Sequence, residues 1–103
     1  ETKITAGGES DVLNSLGIEL EEIDPETASE LEIDGGLRIT ALFPGKIRRQ
    51  TNIREGFIIT KLDGKKVSTV DEFVSMLKNR QGGVMLEGVY EDYPGKYYYA
   101  FGL

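Results

Sequence analysis

Residues 69–80, Thr69 to Arg80, carry the strongest helix signature in this chain, and the segments around them are patterned for strands. Thr69 and Glu72 form a T-x-x-E capping box, in which a hydroxyl and a carboxylate satisfy amides that a helix start leaves unpaired. Val70, Phe73, Val74 and Leu77 fall at i, i+3, i+4 and i+7, a single apolar stripe that must be covered. Lys78 and Arg80 suit the carbonyl end, and Gly82-Gly83 stops the segment. On either side the apolar period drops to two, as in half-buried strands. One amphipathic helix facing several short strands predicts an α+β fold. The expected shape is a partly open barrel or sandwich of about five to six strands, with one main helix and one or two short helices.

The rest of the chain supplies those strands in order. Residues 1–14, polar around Gly7-Gly8, read as a linker or flexible tail in which Val12 and Leu13 anchor a short turn; the domain proper is expected over 15–103. From Leu16, the alternation of Leu16, Ile18 and Leu20 with Gly17, Glu19 and Glu21 predicts a first strand. Asp24-Pro25 opens a short helix, with Asp24 as N-cap and Ala28 and Leu31 facing inward, and Gly35-Gly36 ends it. Leu37 to Ala41 alternates again and stops at Phe43-Pro44-Gly45. Lys46 to Asn52 gives a short helix contributing Ile47. Phe57-Ile58-Ile59 is a buried strand that ends at the tight-turn dipeptide Asp63-Gly64. After the main helix, Val84–Tyr90 and Tyr97–Phe101 form a hairpin around Asp92-Tyr93-Pro94-Gly95, both arms rich in β-formers.

Composition removes whole classes of function. The chain has no cysteine and no histidine, so thiolate chemistry, imidazole bases and the common zinc sites are excluded. A net charge of −6, spread along the 103 residues, argues against nucleic acid and anionic membranes as partners. No apolar run approaches the roughly 20 residues of a spanning helix, and Glu1-Thr2-Lys3 opens no signal peptide. The acidic run Glu19, Glu21, Glu22, Asp24 and Glu26 lacks the ligand spacing of a calcium loop and reads as a solvated face. Ser75 to Lys78 matches S-x-x-K without its companion motifs, and Gly45-Lys46 lacks the upstream glycine of a P-loop. Lys46, Arg48, Arg49 and Arg54 read as solvated surface, and Tyr97 to Tyr99 as packing. No catalytic residue, metal ligand or cofactor is expected.

What remains is the stretch Ser15 to Leu20. A turn at Leu16-Gly17 is expected to leave the amides of Leu16, Gly17 and Ile18 free to converge on an anion, with the edge of the following strand open to an added peptide. The pattern Leu16-Gly17-Ile18 resembles the carboxylate loop of PDZ domains. Gly36-Leu37-Arg38-Ile39 resembles their core strand, Pro44-Gly45-Lys46-Ile47 their turn and small helix, and Gly56 to Gly64 the segment written G-D-x-I-x-x-x-N-G. Two positions depart from that last motif: Phe57 stands where the family has Asp, and Asp63 where it has Asn. The order of elements over 15–103 is that of the PDZ domains of bacterial HtrA/Do-type (DegP/DegQ-type) serine proteases. In their permuted arrangement the C-terminal strand, here Lys96 to Leu103, fills the place held by the first strand in many animal PDZ domains. The C-terminal one of two tandem PDZ domains fits best.

The resemblance implies a groove between Ile18–Glu22 and the helix Thr69–Arg80. A ligand carboxylate is expected on the amides of Leu16, Gly17 and Ile18, and a ligand strand along Glu19, Leu20 and Glu21. Leu16, Ile18, Leu20, Val74 and Leu77 line the slot for the last side chain. Val70 stands where domains that select Ser or Thr at the third position from the end carry His, so an apolar preference follows at both positions. Affinity on the order of micromolar, about −8 kcal/mol, suits such augmentation. On this resemblance the chain is a non-catalytic module of an exported, periplasmic protease/chaperone whose triad lies upstream. It captures apolar C-termini or extended hydrophobic segments of misfolded proteins and contacts the upstream protease and PDZ domains. The alternative is an assembly domain, in a homo-oligomer for example, with its groove closed or filled by an apolar tail such as Ala100 to Leu103. A free-standing enzyme would have to work from carboxylates and serine alone.

Overall fold

The computed structural model describes residues 8–78 and 80–103. Its centre is a six-stranded antiparallel sheet. The strands run β1 (Ile18–Glu22), β2 (Leu37–Leu42), β3 (Ile58–Leu62), β4 (Lys65–Lys66), β5 (Gly83–Val89) and β6 (Tyr97–Gly102), in the order β1-β2-β3-β5-β6 with β4 paired to β3. Among the described residues four helices accompany it: α1 (Gly8–Leu16), α2 (Pro25–Leu31), α3 (Lys46–Gln50) and α4 (Val70–Lys78). The α+β class is as expected, with more helix than the sequence pattern suggested. β1 and β6 are the two ends of the strand path.

Local chemistry explains most boundaries. At α4, the Glu72 amide donates to Thr69 Oγ1 at 3.1 Å while the Glu72 carboxylate accepts from the amides of Thr69 (3.2 Å) and Ser68 (2.9 Å). Asp63 and Gly64 both take positive φ, 52° and 83°, the pair of left-handed residues that a two-residue hairpin between β3 and β4 requires. Asp24 caps α2 by accepting from the Thr27 amide at 2.8 Å, with Pro25 in the first turn. That helix does not run to Gly35-Gly36. It stops at Glu32, which adopts φ 60° and returns its amide to Ser29, and Leu31 is half-buried where Ala28 is buried. Gly36 serves packing instead, since a Cβ there would lie 2.7 Å from Ile58 Cγ2.

The capping carboxylates give the domain an acid-sensitive element. Hydrogen bonds from the Ser68 and Thr69 amides, in that order, hold the Glu72 carboxyl below its ordinary value of 4.5. The folded state therefore binds fewer protons than the unfolded chain in that range, so this contribution is complete above 4.5 and is lost as pH falls through the lowered value. Glu72→Ala is expected to destabilise the domain near neutrality, and the gap between variant and wild type should narrow on acidification. Urea unfolding at a series of pH values measures it; a gap independent of pH sinks the assignment.

Two expectations at the N-terminal end are corrected. The first strand begins at Ile18, not Leu16, because Leu16 is the last residue of α1. Of the 1–14 segment read as a tail, residues 1–7 lie outside the described region, while Gly8 onward is helical and Leu13 is buried at 7% exposure. Tertiary packing overrides weak propensity here: Leu13 and Leu16 enter the main core with Ile18, Leu20, Phe73, Val74 and Leu77.

Candidate functional site

The expected groove lies where α4 packs beside β1. Ile18 and Leu20 point to one face of the sheet, and Val70, Val74 and Leu77 come from the facing stripe of α4. All five belong to a single buried cluster with Leu16. Along β1 the backbone alternates in direction. The Gly17 carbonyl accepts from the Phe43 amide at 2.7 Å, and the Ile23 amide donates to the Gly36 carbonyl at 3.1 Å, so odd-numbered residues face β2. A bulge sets two residues of β2 against this stretch, where the register passes from Glu19↔Ala41 to Leu20↔Ile39, and β1 keeps its alternation. Ile18, Leu20 and Glu22 therefore turn their amides and carbonyls to the open edge.

Glu19 and Glu21 are not part of this cleft. Their backbone groups face β2 and their side chains occupy the opposite face, where Glu21 lies 3.8 Å from Arg38, itself 3.0 Å from Glu91. The acidic residue that does reach the cleft is Glu22, whose carboxylate accepts from the Val70 amide at 3.1 Å and ties the end of β1 to the start of α4. With the partners 48 positions apart, no local pattern could have exposed this contact.

At the other end, the expected free amides are engaged. Gly17 is the left-handed cap of α1, with φ 80°, and its amide donates to the Leu13 carbonyl at 2.8 Å. Leu16 lies inside the last helical turn, so its amide points back along α1. Only Ile18 presents its amide outward. The cleft is also shut: relative exposures are 1% for Leu16 and Leu20, 3% for Ile18, 2% for Val74, 5% for Leu77 and 7% for Val70. The glycine that the sequence offered as an anion loop acts here as a helix stop.

The overall fold is similar to that of the HtrA3 PDZ domain bound to a phage-derived ligand, FGRWV. The likeness has a TM-score of 0.64 at 20% identity and covers 85% of this chain and 80% of that one. This chain has the fold of a PDZ domain. Among curated proteins, it is 30% identical over 96 residues to the DegP-like probable periplasmic serine endoprotease of Marinomonas sp. (strain MWYL1). That match takes in 91% of this chain and 20% of the relative. No family model matches the chain. The chain spans about a fifth of that relative's length.

Two of the other concavities on the domain's surface are lined by charged or aromatic side chains. One, of about 280 Å3, is bordered by Lys61, Lys66 and Lys96, and each is matched: Lys66 by Asp34, Lys61 and Lys96 by Glu87 at 4.0 and 3.8 Å. The other, of about 230 Å3, is walled by tyrosines. Tyr93 and Tyr97 stand edge-on to Tyr90, with centroids at 5.8 and 5.1 Å. The Tyr90 and Tyr99 hydroxyls share a 2.9 Å hydrogen bond, and burial, then that bond, raises the Tyr99 phenol. No cluster of three potential metal-binding side chains occurs among the described residues.

Proposed function

We propose that this domain is a non-catalytic peptide-binding and regulatory module of an exported DegP-like serine protease. It adds an extended segment to the β1 edge and seats an apolar terminal side chain between β1 and α4. The observation that carries this reading is the outward-facing backbone of Ile18 and Leu20 beside an α4 stripe of Val70, Val74 and Leu77. An unpaired strand edge supplies affinity through main-chain bonds, and a flanking apolar pocket supplies selectivity. The solved PDZ domain to which this chain is similar was bound to a ligand ending in valine. The carboxylate stays assigned to Leu16, Gly17 and Ile18, which requires the amides of the first two to be released. With no histidine in the chain to act as base, the protease chemistry belongs elsewhere in the protein. The likeness to a periplasmic relative supports the reading of export.

The test uses FGRWV as free acid and as C-terminal amide, followed by amide shifts at Ile18–Glu22 and Val70–Leu77. Binding by the acid in the micromolar to millimolar range, with the amide at least about tenfold weaker, is the expected result. No shift with either form at millimolar concentration defeats the proposal.

A second reading, an assembly domain with a closed groove, is favoured by the burial of the cleft's apolar side chains. A self-occupying tail is the weaker form of it, since the Leu103 amide donates to the Gly82 carbonyl at 2.9 Å and holds the tail beside its own β5. Molecular mass with and without Leu103 separates the forms: a concentration-dependent oligomer that needs Leu103 restores tail exchange.

A further inference from the structure

We infer that α1 is the gate of the β1–α4 groove, and that a peptide carboxylate and the Leu13 carbonyl compete for the Gly17 amide. The inference rests on the peptide-binding reading above and says how that site is regulated. In the closed state the 2.8 Å bond from Gly17 to Leu13 consumes a donor the ligand needs. The last turn of α1 also brings its unpaired carbonyls, the negative end of a helix, to the place where a carboxylate has to sit. Leu13 and Leu16 fill the same core cluster as Val74 and Leu77, so the helix end that occupies the anion site also closes the slot. At the far end, Glu22 on the Val70 amide holds β1 against α4.

The gate is built to open. α1 has nine residues, Gly8–Leu16, and its sequence includes Gly8, Ser10, Asp11, Asn14 and Ser15, all poor helix formers. A helix this short is marginal without tertiary support, and here that support comes from Val12, Leu13 and Leu16. Unwinding only the last turn frees the amides of Leu16 and Gly17 while β1, which begins at Ile18, stays in its register with β2. Ligand affinity is then reduced by the fraction of molecules that are open, and anything that binds or strains α1 sets that fraction.

The experiment compares three proteins, wild type, Ser15→Pro and the double variant Asn14→Ala/Ser15→Ala, titrated with FGRWV. Asn14 and Ser15 are both exposed, so the changes act on the helix and not on the core. Proline inside the last turn breaks it, and binding is expected to tighten about tenfold. Alanine favours the helix, and binding is expected to weaken about two- to fivefold. In the wild type, the through-hydrogen-bond coupling between Gly17 and Leu13 should vanish at saturation. Equal dissociation constants in all three, with the coupling retained in the complex, overturn the gate and leave peptide binding standing. Absence of binding in all three overturns peptide binding and the gate with it. Should Ser15→Pro lose the native β2, β3 and β5 resonances, the alanine variant and the wild-type coupling decide the matter alone.

Discussion

Phe57→Asp, which introduces the Asp of the G-D-x-I motif that this segment resembles, is expected to leave the domain unfolded at room temperature. Phe57 is fully buried, its ring 5.1 Å from that of Tyr90 and 5.0 Å edge-on to that of Tyr99. Gly88 on β5 lacks a side chain because that ring fills the space, a Cβ there falling 2.6 Å from Phe57 Cζ and 2.1 Å from the Ile58 carbonyl oxygen. Emptying the site with Phe57→Ala should cost about 3–5 kcal/mol, combining lost transfer energy with a cavity. For a domain of this size that corresponds to roughly 15–30 °C in Tm. Aspartate adds an uncompensated buried charge, enough to consume what remains of a typical stability of about 5–15 kcal/mol. Circular dichroism melts of the three proteins measure this. A Phe57→Asp variant melting within a few degrees of wild type contradicts the burial described here. The aromatic side chains of β6 and the β5–β6 loop are thus gathered around Phe57.

The contrast between Thr69-Glu72 and Gly17 shows how far a sequence can be read. The capping box is legible because every bond in it lies within four residues, and spacing alone sets the geometry. Asp63-Gly64 is legible for the same reason. Gly17 is less legible, since a glycine with φ 80° serves equally as the bend of an anion loop or as the cap of a helix. What decides between them is whether the preceding segment is helical. Asp11, Asn14 and Ser15 argue against helix locally, and only the docking of Leu13 and Leu16 into the distant core reverses that preference. Glu22 on the Val70 amide is also a consequence of tertiary structure. The cleft's apolar members, Ile18, Leu20, Val70, Val74 and Leu77, were legible as stripes. The pattern could not say that they close on each other.

Gly17→Ala should be the most damaging single methyl in the molecule's N-terminal half, and a series of three glycines separates its causes. At Gly17 the positive φ costs a side chain about 1–2 kcal/mol. The added Cβ also meets the Phe43 carbonyl oxygen at 2.5 Å and the Pro44 carbonyl oxygen at 3.0 Å, backbone atoms that cannot rotate away. Overpacking of that kind adds about 1–3 kcal/mol. Gly45→Ala tests the clash without the dihedral penalty, since its φ of 175° is extended while its Cβ meets the Leu16 carbonyl oxygen at 2.6 Å. Gly56→Ala tests the dihedral without the clash, with φ 95° and nothing within 4 Å. Denaturant unfolding should place Gly17→Ala lowest, near the sum of the other two effects, and a Gly17→Ala no less stable than Gly56→Ala would mean that the two backbones do not touch. The same contact bears on how the groove opens. Gly17 is pinned on its β2–α3 side by Phe43, Pro44 and Gly45, and on its other side by a single hydrogen bond to Leu13. A carboxylate arriving at the Gly17 amide has one exchangeable partner to displace, and that partner belongs to α1.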